Sequence, residues 1–149
     1  MKLHPLEEYL HEHIPLSRAM GVSVIEARAE LVRLAAPLEP NINHRSTLFG
    51  GSASAVAILA AWTLLHVRLS DQTLANRLVI QRNTMDYQRP ITSNFIAETV
   101  APDPDSWARF LSIFERKQRS RISLTVNLYC ESRLSGILEG HFVALGDET

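Results

Sequence analysis

"GGSASAVAILAAWTLLHVRL", residues 50–69, decides how this chain folds. From Ala53 to Val67 apolar residues occur on almost every side of the helix this stretch predicts. A helix with one apolar stripe lies on a surface, whereas one that is apolar all round must be covered all round. About 20 residues at 1.5 Å each give a rod of roughly 30 Å. Its longest apolar stretch, Ala53 to Leu65, is broken by Ser54 and Thr63 and is too short to cross a bilayer. The expected cover is therefore protein.

The flanks supply that cover. "VSVIEARAELVRLAAPL" (22–38) is β-leaning with a turn or bulge near Ala27 to Glu30, and Pro37 and Pro40 break it into a loop. "RLVIQRNTMDYQRPI" (77–91) is β-rich up to Pro90, and "NFIAETVA" (94–101) is another strand. "PDPDS" turns, with Asp105 or Ser106 able to cap a helix whose apolar face is Trp107, Phe110, Leu111 and Phe114. "RISLTVNLYCES" alternates, with Ile122, Leu124, Val126, Leu128 and Cys130 on one side. "SRLSG" then reads as a turn and "ILEGHFVAL" as a final hairpin strand. Residues 3–13 carry Leu3, Leu6 and Leu10 at helical spacing, and Pro15 ends that short helix. Runs of strands around one buried helix indicate α+β with an antiparallel sheet, in one domain over residues 1–149. One sheet around one helix leaves an edge strand and apolar surface, which a two-fold homodimer would cover.

Bulk properties exclude other classes. The chain has 149 residues, 46% apolar and 21% charged, with a net charge of −1. That balance lacks the basic excess of a nucleic-acid binder. The single cysteine, Cys130, rules out an internal disulfide and suits the cytoplasm. The N-terminus has no signal-peptide core. His4, His11 and His13 are loosely spaced with no cysteine beside them, so no metal site is expected.

With that order on the page, the chain resembles a hotdog-fold protein over nearly its whole length. In that fold a curled antiparallel sheet wraps one long helix, and many members act on thioesters of coenzyme A or acyl carrier protein. Many hotdog thioesterases carry Asn, five residues, His-Gly-Gly, then Asp seven residues after the second Gly. Here Asn43, Gly50 and Gly51 keep their places, while Phe49 replaces the His and Ile58 the Asp. "APLEPNINHRSTLFGGS", "LAAW" and "LTVNLYCES" are similar to a thioesterase-like hotdog family often fused to an acetyltransferase. Members of that family are associated with decarboxylation of malonyl-acyl carrier protein. The resemblance implies a stand-alone form acting on a carrier-protein or CoA thioester, with no cofactor beyond the substrate's pantetheine arm.

The residues themselves frame the chemistry. Gly-Gly at a helix start presents unpaired NH groups with partial positive charge, an oxyanion site or simply a tight packing turn. Asn43 can donate to that oxyanion or satisfy its own loop, and Asn41 after Pro40 suits a turn. Ser52 offers a hydroxyl or is merely a first-turn residue, Thr47 can orient the loop, and Phe49 can keep the pocket dry. Arg45 can meet a substrate carboxylate or stand in solvent. No acidic residue lies between Glu39 and Asp71. Hydrolysis needs a base or nucleophile. That leaves His44 in the loop, His66 about 24 Å along the helix, or Asp86 of a partner chain. Loss of CO2 from a malonyl thioester needs only stabilisation of the enolate, and a carboxylate nearby would oppose it. The basic run Arg116, Lys117, Arg119 and Arg121 can steer an acidic carrier protein or be a solvated junction.

Overall fold

The computed structural model describes residues 4–72 and 76–146. In chain order it has helices α1 (Pro5–His13) and α2 (Pro15–Ala19), strands β1 (Ser23–Arg28) and β2 (Leu31–Ala36), and a short 3-10 turn, Glu39–Asn41. Then follow α3 (Gly50–Asp71), β3 (Arg77–Tyr87), β4 (Phe95–Val100), α4 (Pro104–Lys117), β5 (Arg119–Cys130) and β6 (Arg133–Leu145). The strands form one antiparallel sheet in the order β1-β2-β4-β5-β6-β3.

The sheet curls around α3, which touches all six strands. Ala53, Ala57, Ala60 and Ala61 are almost wholly buried and let the helix backbone nest close to the sheet, while Val56, Leu64, Leu65 and Leu69 fill the remaining directions. The sheet answers with alternate residues, among them Leu34, Ala97, Val126, Leu128, Leu138 and Phe142, each fully buried. Ile122, Leu124 and Cys130 join them as the alternation of β5 requires.

Four expectations change in detail. The helix α3 runs to Asp71, and its 22 residues are long and apolar enough to cross a membrane, contrary to the length reading of Ala53–Leu65 alone. Ten of those residues are nevertheless buried within the protein's own fold. Pro15 ends α1 but also opens α2, because proline's fixed φ suits a first helical position; Leu3 lies outside the described residues. The cap of α4 is Asp103, not Asp105 or Ser106: its carboxylate accepts from the Ser106 NH at 2.9 Å and the Ser106 hydroxyl at 2.7 Å. The β5–β6 turn is tighter than expected. Glu131 and Ser132 take φ of +52° and +65°, so β6 starts at Arg133 rather than Ile137. Two residues with positive φ match the twist of a hairpin.

One irregularity bears on function. In β3 the register slips between Ile80 and Arg82, leaving Gln81 as an extra residue. Side chains alternate faces, so a bulge exchanges the two sets beyond it. Leu78 and Ile80 pack on the core before the bulge, and Met85 does so after it. Asp86 is thereby turned to the outer face and exposed.

Candidate active site

The first turn of α3 is built by the loop before it. Asn41 is 3% exposed, and its amide donates to the carbonyls of Met20 and Pro37 at 2.8 Å each. Its own carbonyl accepts from the Phe49 NH at 2.8 Å, and the Leu48 NH donates to the Ile91 carbonyl at 2.9 Å. Phe49 is extended and offers no side-chain cap to the helix. The Ala53 NH closes the first turn on the Phe49 carbonyl at 3.1 Å. The NH groups of Gly50, Gly51 and Ser52 thus have no acceptor among the described residues. They carry the positive end of a helix dipole, and the first turn of the helix holds no acidic residue to neutralise it.

Asn43 organises this loop. Its amide nitrogen donates to the Thr47 hydroxyl at 2.8 Å and the Leu48 carbonyl at 3.3 Å, and its oxygen accepts from the NH groups of Arg45 and Thr47 at 2.8 and 3.1 Å. Both amide hydrogens are engaged within the loop, as asparagine often does in turns. Ser46 takes φ of +62° at its tip. His44 and Arg45 stand exposed there.

Beside the glycines lies a cleft of about 530 Å³ lined by Thr47, Gly50, Gly51, Met85, Tyr87 and Arg89, with Leu128 and Ser135 among its remaining walls. Of the sequence-selected residues, the structure brings Thr47, Gly50 and Gly51 to its surface. Ser52 is half-buried in the helix turn behind. Phe49, 57% exposed, lays its ring over Gly51: a Cβ there would sit 2.4 Å from a ring carbon. Tyr87 was not foreseen. Its hydroxyl donates to the Gly50 carbonyl at 3.0 Å, fixing the peptide whose other end is the Gly51 NH. The lining residues include no carboxylate, and Arg89 is the one charged side chain among them. The signal for Met85, Tyr87 and Arg89 was present in "MDYQRPI", but their facing depends on the bulge.

The other candidates lie elsewhere. Arg116 and Lys117 end α4, and Arg119 and Arg121 open β5, all exposed. Arg121 is seven residues from Leu128 on one strand, roughly 23 Å at 3.3 Å per residue. His66 stacks between Trp62 and Tyr9, each ring centre 4.9 Å away, and burial together with the nearby His13 pushes its pKa below the usual value. His4 caps α1 and His11 bonds the Val22 carbonyl at 2.7 Å. Among the described residues no three His, Cys, Asp or Glu are grouped to hold a metal. Ile58, at the place of the usual Asp, lines a separate apolar groove with Trp62 and Ile80.

A curled antiparallel sheet wrapped around one long buried helix, with a cleft at the helix N-terminus, defines a hotdog-fold protein. Residues 3–146 match the family described as "Putative thioesterase (yiiD_Cterm)", and the chain belongs to that family. Solved structures agree. A protein of unknown function from Chlorobaculum tepidum is 31% identical, with a TM-score of 0.90 over 95% of this chain and 93% of that one. A protein from Shewanella oneidensis described as a putative thioesterase is 25% identical, with a TM-score of 0.84 over 94% of each chain. A thioesterase from Haemophilus influenzae shares only 11% identity but has a TM-score of 0.76 over 98% and 92% of the two chains, a likeness of fold alone.

Proposed function

We propose that this protein decarboxylates malonyl thioesters, preferably on acyl carrier protein, and leaves the thioester intact. The carrying observation is the cleft itself: three unpaired NH groups at a helix start, and no carboxylate among the described residues that line it. The thioester oxygen is held by the Gly50 and Gly51 NH groups. The bond between the α-carbon and the carboxyl carbon breaks, CO2 departs, and the electron pair moves into the thioester as an enolate. The same NH groups stabilise the charge growing on oxygen, an interaction stronger in the transition state than in the substrate. Water then protonates the α-carbon, with the exposed His44 a second source, to give the acetyl thioester. In this scheme Asn43 acts through Thr47 and Leu48, holding the loop that aims the glycines. Tyr87 holds the Gly50–Gly51 peptide from the sheet side.

Thioester hydrolysis is the second reading, and the family's description favours it. It needs a base, which no cleft wall among the described residues supplies, so the exposed His44 or an acid from a partner chain would have to provide it.

The scheme includes a homodimer formed along β3, whose outer edge has no neighbour in the sheet. Antiparallel pairing of two copies of β3 sets the Arg77 end of one against the Tyr87 end of the other. Through the registers Arg77–Leu145–Arg119, the basic junction of one protomer then approaches the partner's cleft. There Arg116, Lys117, Arg119 and Arg121 can meet the acidic surface of a carrier protein.

The test is a mass-resolved incubation with malonyl-acyl carrier protein. Acetyl-carrier protein with CO2 release is the expected product. Free carrier thiol with malonate would replace this reading by hydrolysis, and unchanged substrate would leave a binding module.

A further inference from the structure

We infer that Arg89 binds the free carboxylate of the acyl group, so that the cleft selects short acyl thioesters ending in a carboxylate over neutral ones of similar length. This rests on the reading of the Gly50–Gly51 cleft as the thioester site.

The backbone at Arg89 is firmly held. The NH groups of Gln88 and Arg89 both donate to the Ser135 carbonyl, at 3.0 and 3.1 Å. Pro90 follows, and Ile91 is buried and anchors the Leu48 NH. The guanidinium, by contrast, is on an exposed residue and has neither an ion pair nor a hydrogen bond among the described residues. The protein's ion pairs among those residues join Glu26, Arg28, Glu30, Arg33 and Glu98, on the opposite edge of the sheet. A fixed base with an unpaired planar cation is the arrangement that takes a carboxylate by two parallel hydrogen bonds.

The choice of anion follows from the walls. Arg89 shares one cleft with the Gly50 and Gly51 NH groups. An anion within reach of both belongs to the acyl side of the thioester rather than to the distant phosphate of its carrier. The cleft is floored by Met85, Ala53 and Leu128, and none of its walls is shared with the apolar groove around Ile58 and Trp62. That favours a short group. Malonyl, with one carbon between the two carbonyl functions, is such a group.

Arg89 stabilises the carboxylate before CO2 leaves, so it strengthens binding and fixes orientation without lowering the barrier to bond breaking. Its removal should therefore raise KM and Kd without lowering kcat.

Two phosphate-free pantetheine thioethers, one ending in a carboxylate and one in a methyl group of equal length, test this by calorimetry. The unaltered protein should bind the carboxylate form at least about tenfold more tightly. Arg89→Leu should abolish the preference and keep affinity for the methyl form, which also reports an intact fold. Arg89→Lys should restore part of it. Equal binding of both ligands by the unaltered protein, or a preference that survives Arg89→Leu, would overturn the inference. Product analysis separates it from the reaction reading. Malonate release with a KM raised only for malonyl substrate in Arg89→Leu would keep Arg89 and discard decarboxylation; acetyl product with KM unmoved would do the reverse.

Discussion

One helix serves two cavities of opposite construction. At its first turn, α3 offers the cleft backbone NH groups and two residues with no side chain. Further along, Ala55, Ile58, Leu59 and Trp62 line a groove of about 420 Å³ with Ile14, Leu16, Leu78 and Ile80, almost entirely apolar. The cleft works by what is missing, so added atoms should damage it. The groove works by what is present, so lost or charged atoms should damage that instead. The two regions therefore predict different failures for single substitutions.

The largest effect should come from filling the cleft. In Gly51→Val the new side chain meets the Phe49 ring, which must swing away or push the loop off the helix start. Gly51 is exposed, so the core is untouched. We expect turnover to fall by about 10²–10³-fold, the size of losing an oxyanion donor, with a Tm within a few degrees of the unaltered protein. Full activity in this variant would mean that the thioester oxygen lies elsewhere.

The groove should respond in the other sense. Ile58→Asp restores the acid usual at this place in related thioesterases, but sets it among Trp62, Leu78 and Ile80. An unpaired carboxylate there should cost about 2 kcal/mol of stability and register as a lowered Tm. The Gly50–Gly51 cleft of the same protomer should keep its reaction. A large gain of thioester hydrolysis would instead show that the groove opens onto a reactive centre, and would erase the distinction between the cavities.

How far each region could be read from the sequence follows the same division. The groove and core were legible, because apolar residues at helical or alternating spacing declare their own burial; Ile122 to Cys130 and Trp107, Phe110 and Phe114 needed nothing else. Gly50 and Gly51 were legible as a helix start. Thr47 was legible as a loop residue beside them, but the wall that β3 contributes was not, since it depends on one bulge residue, Gln81. In a regular β3 the face bearing Leu78 and Ile80 would also bear Asp86, and the cleft would hold a carboxylate. Hydrogen-bond registers fix that parity, and composition gives no hint of it. Asn43 illustrates a second limit: its spacing to the glycines was visible, but not that Thr47 and Leu48 take both its amide hydrogens. The two-residue turn at Glu131–Ser132 is a third, because neither residue is the glycine or asparagine that advertises positive φ.

The smallest expected effect lies where the groove meets α1. His66 is half-buried, stacked between Trp62, a groove wall, and Tyr9, whose ring also contacts His13 at 4.2 Å. Burial first, and the charge of His13 second, hold the His66 pKa below its ordinary 6.5. The unfolded chain therefore takes up a proton at His66 more readily than the folded one. Unfolding free energy from this residue is then fully present above about pH 6.5 and is lost as pH falls through the lower folded value. His66→Phe keeps an aromatic ring between Trp62 and Tyr9 and removes the titration. Chemical denaturation across pH 5 to 8 should give a shallower slope for His66→Phe than for the unaltered protein, while Gly51→Val should leave the slope unchanged. Equal slopes for His66→Phe and the unaltered protein would show that the imidazole is protonated as easily in the stack as in water. The aromatic faces of Trp62 and Tyr9 would then be stabilising the cation enough to offset its burial, and acid would leave the groove wall in place.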